Sequence, residues 1–263
     1  MIDEKVRLDA YLVRQGFARS RQLARELIDA GVVCVDGRIA TKPSRLVDRS
    51  MQISAQRSEA NDYVSRGALK LHGALADFED IDVDGARCID VGASTGGFTE
   101  VLLQKGAREV VAIDVGRDQL ESRLRDDPRV LNIDRTHVLD VVIEEIGGSG
   151  DVVVADLSFI SLRQVMGKLS ELVGVGGVLL PMVKPQFEVG KNRLGKGGVV
   201  RDGGDRKDAV RAVTESAREY GLRLGGITRS KVPGPAGNIE YFLRLRFADP
   251  SFDFDDLWPQ VVD

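Results

Sequence analysis

The sequence predicts an α/β fold: a mostly parallel, doubly wound sheet preceded by a small α+β module. Three observations carry this. From residue 87 onward, short apolar runs alternate with amphipathic segments, the pattern of strands and covering helices. The run Asp90-Val91-Gly92-Ala93-Ser94-Thr95-Gly96-Gly97-Phe98-Thr99-Glu100 joins the first such strand to the first helix. Glycines there let a backbone lie against a ligand and aim free helix N–H groups at it. Before residue 60 the signals differ, with two short helical patterns followed by a tight turn between apolar runs.

At 263 residues, 43% hydrophobic and 30% charged, the chain suits one large domain or a medium one plus a small one. Its 29 glycines fit a loop-rich α/β fold. Cys34 and Cys88 sit in apolar strand-like runs and read as buried thiols in a reducing compartment. Met1-Ile2-Asp3-Glu4 is polar, unlike a signal peptide, and the uncharged stretch Gly174 to Val183 is about half of a membrane span. A cytoplasmic protein with no membrane partner is expected. Net charge is −4, yet residues 1–64 carry 11 Lys/Arg against 9 Asp/Glu while the remainder carries 26 against 32. The basic excess therefore lies at the N-terminus.

Residues 5–16 read as a short helix with Leu8 and Leu12 on one face and Gly16 at its stop. Ser20 caps a second helix, with Leu23, Leu27 and Ile28 inward and Gly31 at its end. Val32 to Val35 is a strand, Asp36-Gly37 a tight turn, Arg38 to Ala40 the return, and Met51 to Ser54 a further strand. Residues 56–67 are polar and turn-rich. The domains this implies are 1–57 for the module, 58–67 for a linker, 68–248 for the sheet domain and 249–263 for a frayed tail. Trp258, in that tail, is expected to be a packing anchor.

In the sheet domain, Ala68 to Phe78 forms a helix with Leu71, Leu75 and Phe78 on one face. Strands follow at 87–92, 109–115, 130–134, 151–156 and 177–183, then a helix over about 205–220. The last two strands, 223–230 and 240–247, are joined through the Pro233-Gly234-Pro235-Ala236-Gly237 turn as an antiparallel pair, making seven in all.

Asp114 ends the second strand, 22 residues after Gly92. At that distance an open α/β sheet presents a carboxylate to the ribose of an adenosine cofactor. Dinucleotide loops read G-x-G-x-x-G. This one reads G-x-x-x-G-G-F and resembles the S-adenosylmethionine loop of Rossmann-like class I methyltransferases, to which the closing antiparallel pair also points. The resemblance implies contacts from Asp90, Gly92, Ser94, Thr95, Gly96, Gly97 and Phe98, with Asp114 on the ribose, Asp134 near adenine and Asp156 at the methyl end.

Four ionisable residues converge on the same edge. Asp156 and Lys184 each follow at least four apolar residues, where a stray charge is costly. Lys70 precedes the Leu71 stripe, and Glu240 opens the last strand. Together Lys70, Asp156, Lys184 and Glu240 resemble the K-D-K-E tetrad of RNA 2′-O-methyltransferases. A ribose hydroxyl must be aligned with the sulfonium methyl and lose its proton as the bond forms. A lysine takes that proton only when transiently neutral, which a second lysine favours and two carboxylates oppose. Lys70 and Lys184 are therefore base and positioning group without an order between them. Phe159 is open to two readings, stacking on a base or packing. Gly190 to Lys196 spells a phosphate-loop pattern, but Gly197 replaces its Ser/Thr and it follows the fifth strand, so it is set aside. Gly195 to Gly204 reads instead as a flap over substrate. With His72 and His137 the only histidines, no zinc spacing exists and no metal is expected.

In the module, Arg7, Arg14, Arg19, Arg21, Arg25, Lys42 and Arg45, with Arg66 beyond it, form a candidate set of phosphate contacts. The order of Arg14 to Arg21, Ala30-Gly31-Val32-Val33 and Val35-Asp36-Gly37 resembles the S4-like RNA-binding domain. That module followed by DVGASTGGFTE, ADLSFISL, VKPQFE and PGPAGNIEYFL resembles the TlyA family, with its FtsJ-like domain. The resemblance implies S-adenosylmethionine-dependent methylation of cytidine 2′-hydroxyls in ribosomal RNA of the small subunit or of both. It also implies ribosomal subunits as partners and an effect on sensitivity to capreomycin-type antibiotics; a monomer is expected, although the sequence does not itself report on dimerisation. The family also carries the name haemolysin A, but no span or amphipathic strand array here suits a pore.

Overall fold

The computed structural model describes residues 5–18, 21–29, 31–55, 63–234, 236–248 and 250–261. Two compact units divide it, residues 1–69 and 70–263. Ser20, expected as a helix cap, Arg19, and part of the expected linker lie outside the described residues.

The first unit runs β1 (Val6–Arg7), α1 (Leu8–Arg14), α2 (Arg21–Asp29), β2 (Val33–Val35), β3 (Arg38–Ile39), β4 (Leu46–Val47) and β5 (Ile53–Ala55). Helix α1 begins at Leu8 rather than near residue 5, because Val6 and Arg7 pair with Val47 and Leu46. Asp36 and Gly37 both have positive φ, +52° and +74°. That is the mirror-image turn whose twist suits a two-residue hairpin, and it sets Cys34 opposite Ile39. The last strand begins two residues later than its pattern suggested, at Ile53, where Val35 supplies a partner. Leu8, Leu12, Leu27, Ile28, Val33, Val35 and Val47 form the buried core.

The second unit begins within α3 (Gly67–Asp77). It continues β6 (Arg87–Val91), α4 (Gly97–Gln104), β7 (Glu109–Ile113), α5 (Ser122–Arg125), β8 (Val130–Ile133), β9 (Gly150–Ala155), α6 (Leu162–Glu171) and β10 (Val173–Val183). It closes with α7 (Pro185–Glu188), α8 (Gly203–Glu219), β11 (Arg223–Arg229), β12 (Tyr241–Arg246) and α9 (Phe254–Leu257). The seven strands lie in the order β11-β12-β10-β9-β6-β7-β8, parallel except where β12 meets its two neighbours. Strand β6 is buried at every position, as expected for a strand covered on both faces. The chain reverses direction across the sheet between β6 and β9. Crevices at such switch points, outside the carboxyl ends of the strands, are where open α/β sheets hold ligands.

Three expectations need correction. Strand β10 starts at Val173, four residues early, with a register shift before Val178 that the glycines of Gly174-Val175-Gly176-Gly177 accommodate. Residues 249–263 read as a frayed tail, but the described part, 250–261, is anchored. Phe254 and Trp258 are buried in the main core, with Trp258 5.2 Å from Tyr241 and 5.6 Å from Phe254 between ring centroids. Finally, Cys88 is buried and Cys34 only half-buried. Burial pushes the Cys88 thiol up to about 12, so it stays protonated and inert.

Candidate active site

The glycine turn is built by close approach. Gly92 has φ +87°, and a Cβ there would stand 2.5 Å from the carbonyl oxygen of Asp156. Only glycine lets the ends of β6 and β9 meet this way. Ser94 also takes a positive φ, +47°. Its N–H donates to Asp114 Oδ2 at 2.9 Å, while Gly116 N–H donates to Oδ1 at 2.7 Å. Asp114 is half-buried, and two backbone amides hold its carboxylate beside the turn. Thr95 is half-buried in the turn, and Gly96 and Gly97 lead into the N-terminus of α4. Asp134, just past β8, accepts from the Asp118 N–H at 2.8 Å. A cradle of small residues with two carboxylates at successive strand ends fits a nucleoside bearing a ribose and an amino acid.

Two expected contacts lie behind the turn rather than in it. Phe98 is buried against Phe242, 5.9 Å between centroids. Asp90 is fully buried; its Oδ2 accepts from Thr99 Oγ1 at 2.7 Å and its Oδ1 has no partner. Burial raises its pKa to about 7, opposed by the Thr99 hydroxyl and assisted by the Asp156 charge. An unfolded aspartate ionises near 3.9. The folded state therefore holds the proton longer, and this contribution to stability is complete below about pH 4 and lost as pH rises through about 7. The loss is on the order of 4 kcal/mol. Asp90→Asn removes the dependence, so its melting temperature should gain on the parent's between about pH 5 and pH 8. Parallel curves for the two proteins would contradict this origin.

The four tetrad positions are joined by direct contacts and by strand register. Lys70 Nζ lies 2.6 Å from Glu240 Oε2, with both side chains buried. Val183 pairs with Tyr241, which sets Glu240 and Lys184 opposite one another at the strand ends. Lys184 Nζ lies 2.6 Å from Asp156 Oδ1 and donates to Ser158 Oγ at 2.8 Å. Asp156 in turn abuts Gly92. The arrangement can hold a cationic amine between a carboxylate and a hydroxyl at the mouth of the glycine cradle. Ser158 was not singled out in the sequence, although its place two residues after Asp156 on the same loop is the signal for it.

Around these residues, Phe159 is 92% exposed, has φ +65°, and lies 5.3 Å from the Phe187 ring. It does not pack into the core. The segment read as a flap is tethered: Asn238 accepts from Val200 N–H at 3.0 Å and donates to the Gly198 carbonyl at 3.1 Å. Helix α8 already begins at Gly203.

The basic residues of the first unit are organised by a carboxylate that the sequence did not flag. Asp9 is fully buried, and Arg7, Arg21 and Arg25 reach it at 3.1, 3.0 and 3.3 Å. The Arg7 bond, with those of Arg21 and Arg25, holds its carboxyl well below the usual carboxylate range against the cost of burial. Each arginine remains about half exposed. Arg14 and Lys42 are exposed, and Arg45 and Arg66 half-buried. Among the described residues no group of three or more His, Cys, Asp or Glu could hold a metal ion, and no helix is long and apolar enough to cross a membrane.

A parallel sheet with an antiparallel end, a glycine turn with carboxylates at the next strand ends, and two lysines each paired to a carboxylate define a Rossmann-like methyltransferase. Residues 63–247 match the model of the FtsJ-like methyltransferases, and residues 6–53 match that of the S4 domain. The chain belongs to the TlyA branch of the FtsJ-like family. It is 52% identical over 242 residues, 92% of this chain and 90% of the other, to the 16S/23S rRNA (cytidine-2′-O)-methyltransferase TlyA of Mycobacterium tuberculosis. It is 35% identical to Hemolysin A of Brachyspira hyodysenteriae over 90% of this chain and 98% of that one. A solved structure described as a hemolysin, from Streptococcus thermophilus, superposes with a TM-score of 0.77 at 34% identity, covering 97% and 95% of the two chains.

Proposed function

We propose that this protein methylates the 2′-hydroxyl of cytidine in ribosomal RNA of the small subunit, and of the large subunit as a second target. The observation that carries the reading is Lys184, held between Asp156 and Ser158 beside the glycine turn. Gly92, Ser94, Thr95, Gly96 and Gly97 would hold the methionine part of S-adenosylmethionine, Asp114 its ribose and Asp134 its adenine. That cofactor supplies an electrophilic methyl group. Lys184 aligns the ribose hydroxyl and, once it has passed its own proton to Asp156 or to solvent, accepts the hydroxyl proton as the methyl bond forms, while Asp156 and Ser158 fix the amine. Lys70, paired to Glu240, forms the opposite wall and balances its charge. Phe159, standing into solvent beside this edge, offers a face for a base to stack on.

The S4-like unit would bring folded RNA to this edge. Arg7, Arg21 and Arg25, spread around Asp9, keep donors free for phosphates, and Arg14 and Lys42 extend the patch. The relative in Mycobacterium tuberculosis is named for both 16S and 23S rRNA, which supports targets on both subunits. Activity on ribosomal subunits places the protein in the cytoplasm, and loss of the protein should lower sensitivity to capreomycin-type peptides. Mapping 2′-O-methyl groups on ribosomal RNA from cells with and without the protein tests the reading. One or two cytidines should lose their methyl group in the deletion strain; identical maps would overturn the assignment.

A further inference from the structure

The VKPQFE segment ends in a glutamate that no step above uses. Glu188 closes α7, and its side chain is only 1% exposed. Burying a carboxylate is costly unless donors surround it. Here Oε1 accepts from the Leu162 N–H at 2.8 Å, and Oε2 accepts from Ser161 Oγ at 2.5 Å and from Arg163 Nε at 3.3 Å. The Glu188 carbonyl accepts a further bond from Arg163 Nη2 at 3.3 Å. These donors sit at the N-terminus of α6, where Ser161 is already the cap, and a negative charge there is favoured by the unpaired N–H groups.

The position of this cluster matters more than its strength. Two chain segments supply the substrate edge. One is the loop from Asp156 to Ser161, which carries Ser158 and Phe159. The other is the β10 end with α7, which carries Lys184 and Phe187. Each member of the Asp156–Lys184, Ser158–Lys184 and Phe159–Phe187 contacts comes from a different segment. Glu188 is the buried link that fastens the far end of the loop to the helix after Lys184. A loop held at both ends keeps Phe159 in its left-handed conformation and outward pose; a loop released at Ser161 and Leu162 does not.

We infer that Glu188 is a positioning residue for the RNA substrate, acting through the 156–161 loop and touching no reactant itself. This rests on the function proposed above. In Glu188→Gln one acceptor oxygen remains where two served, so the bonds to Ser161, Leu162 and Arg163 cannot all be kept. The KM for ribosomal subunits should rise about 10–100-fold, the scale at which small misplacements are felt. Affinity for S-adenosylmethionine, measured by calorimetry, should not change. A purely structural role would instead lower the active fraction, which scales kcat and leaves KM alone.

Two further readouts sharpen the test. In a Phe159→Ala background Glu188→Gln should add little to KM, because the outward ring through which the loop meets RNA is already gone. Amide hydrogen exchange at Leu162 should quicken in Glu188→Gln while the melting temperature of the protein holds. An unchanged KM, additive effects in the double variant, or a Leu162 amide as protected as in the parent would each overturn the inference. The exchange experiment needs no activity, so it judges the tether even if the parent transfers no methyl group to RNA, an outcome that would count against the proposed function instead.

Discussion

Lys184→Ala is expected to slow methyl transfer to ribosomal subunits by about 10²–10⁴-fold, the range for loss of a positioned acid or base. Cofactor affinity should be unaffected, because the cradle from Gly92 to Gly97 and the Asp114 carboxylate lie on other strands. The amine donates to Ser158 and is paired in charge with Asp156, whose Oδ1 takes no hydrogen bond from it, so positions on the nitrogen remain for the ribose hydroxyl. Removing Lys184 strands Asp156, but that side chain is 23% exposed and can be solvated, so the protein should still fold. Lys184→Arg should be nearly as slow: a guanidinium keeps the charge and cannot give up its proton. Single-turnover transfer together with calorimetry separates these effects. A Lys184→Ala protein within tenfold of the parent, or Lys184→Arg at parental rate, would remove the lysine from the proton transfer.

What was legible in the sequence follows from where physics leaves a local trace. The five parallel strands showed because strands covered on both faces read as near-continuous apolar runs, as β9 does from Val152 to Ala155. Asp156 and Lys184 showed because each breaks such a run at its end. The Asp36-Gly37 turn showed because few residue pairs accept two positive φ angles. Other features depend on partners far away in the chain. Asp9 looks like any first-turn acid, and only folding brings Arg21 and Arg25 to it. Glu188 and Ser161 are 27 residues apart. Val6 and Arg7 look helical by pattern and are strand by virtue of Leu46 and Val47. Phe98 and Asp90, read as ligand contacts from their place in the glycine run, are turned inward by the start of α4 and by Thr99. The tail read as frayed because aspartates and prolines interrupt its apolar residues, yet Phe254 and Trp258 suffice to dock it on Tyr241.

The Lys70–Glu240 pair should behave in the opposite way to Lys184: its truncation costs stability first. The two groups are 2.6 Å apart with side chains 9% and 1% exposed. Gly234 packs close on the far side, where a Cβ would lie 2.6 Å from Glu240 Oε1. Glu240→Ala therefore leaves a buried ammonium without its counter-charge. Breaking a buried pair this way typically costs about 3–5 kcal/mol. Replacing both partners by apolar residues, Lys70→Met with Glu240→Leu, should recover most of that loss, because desolvating two charges consumes much of what their attraction returns. Methyl transfer should stay abolished in the double variant. Urea denaturation of the parent, the single variant and the double variant measures the first part, and transfer to ribosomal subunits the second. If the double variant is as unstable as Glu240→Ala, the pair is a structural element of the fold. If it is stable and inactive, the charges are kept at a cost in stability for the chemistry at the strand ends, where Glu240 faces Lys184 across the β10–β12 register.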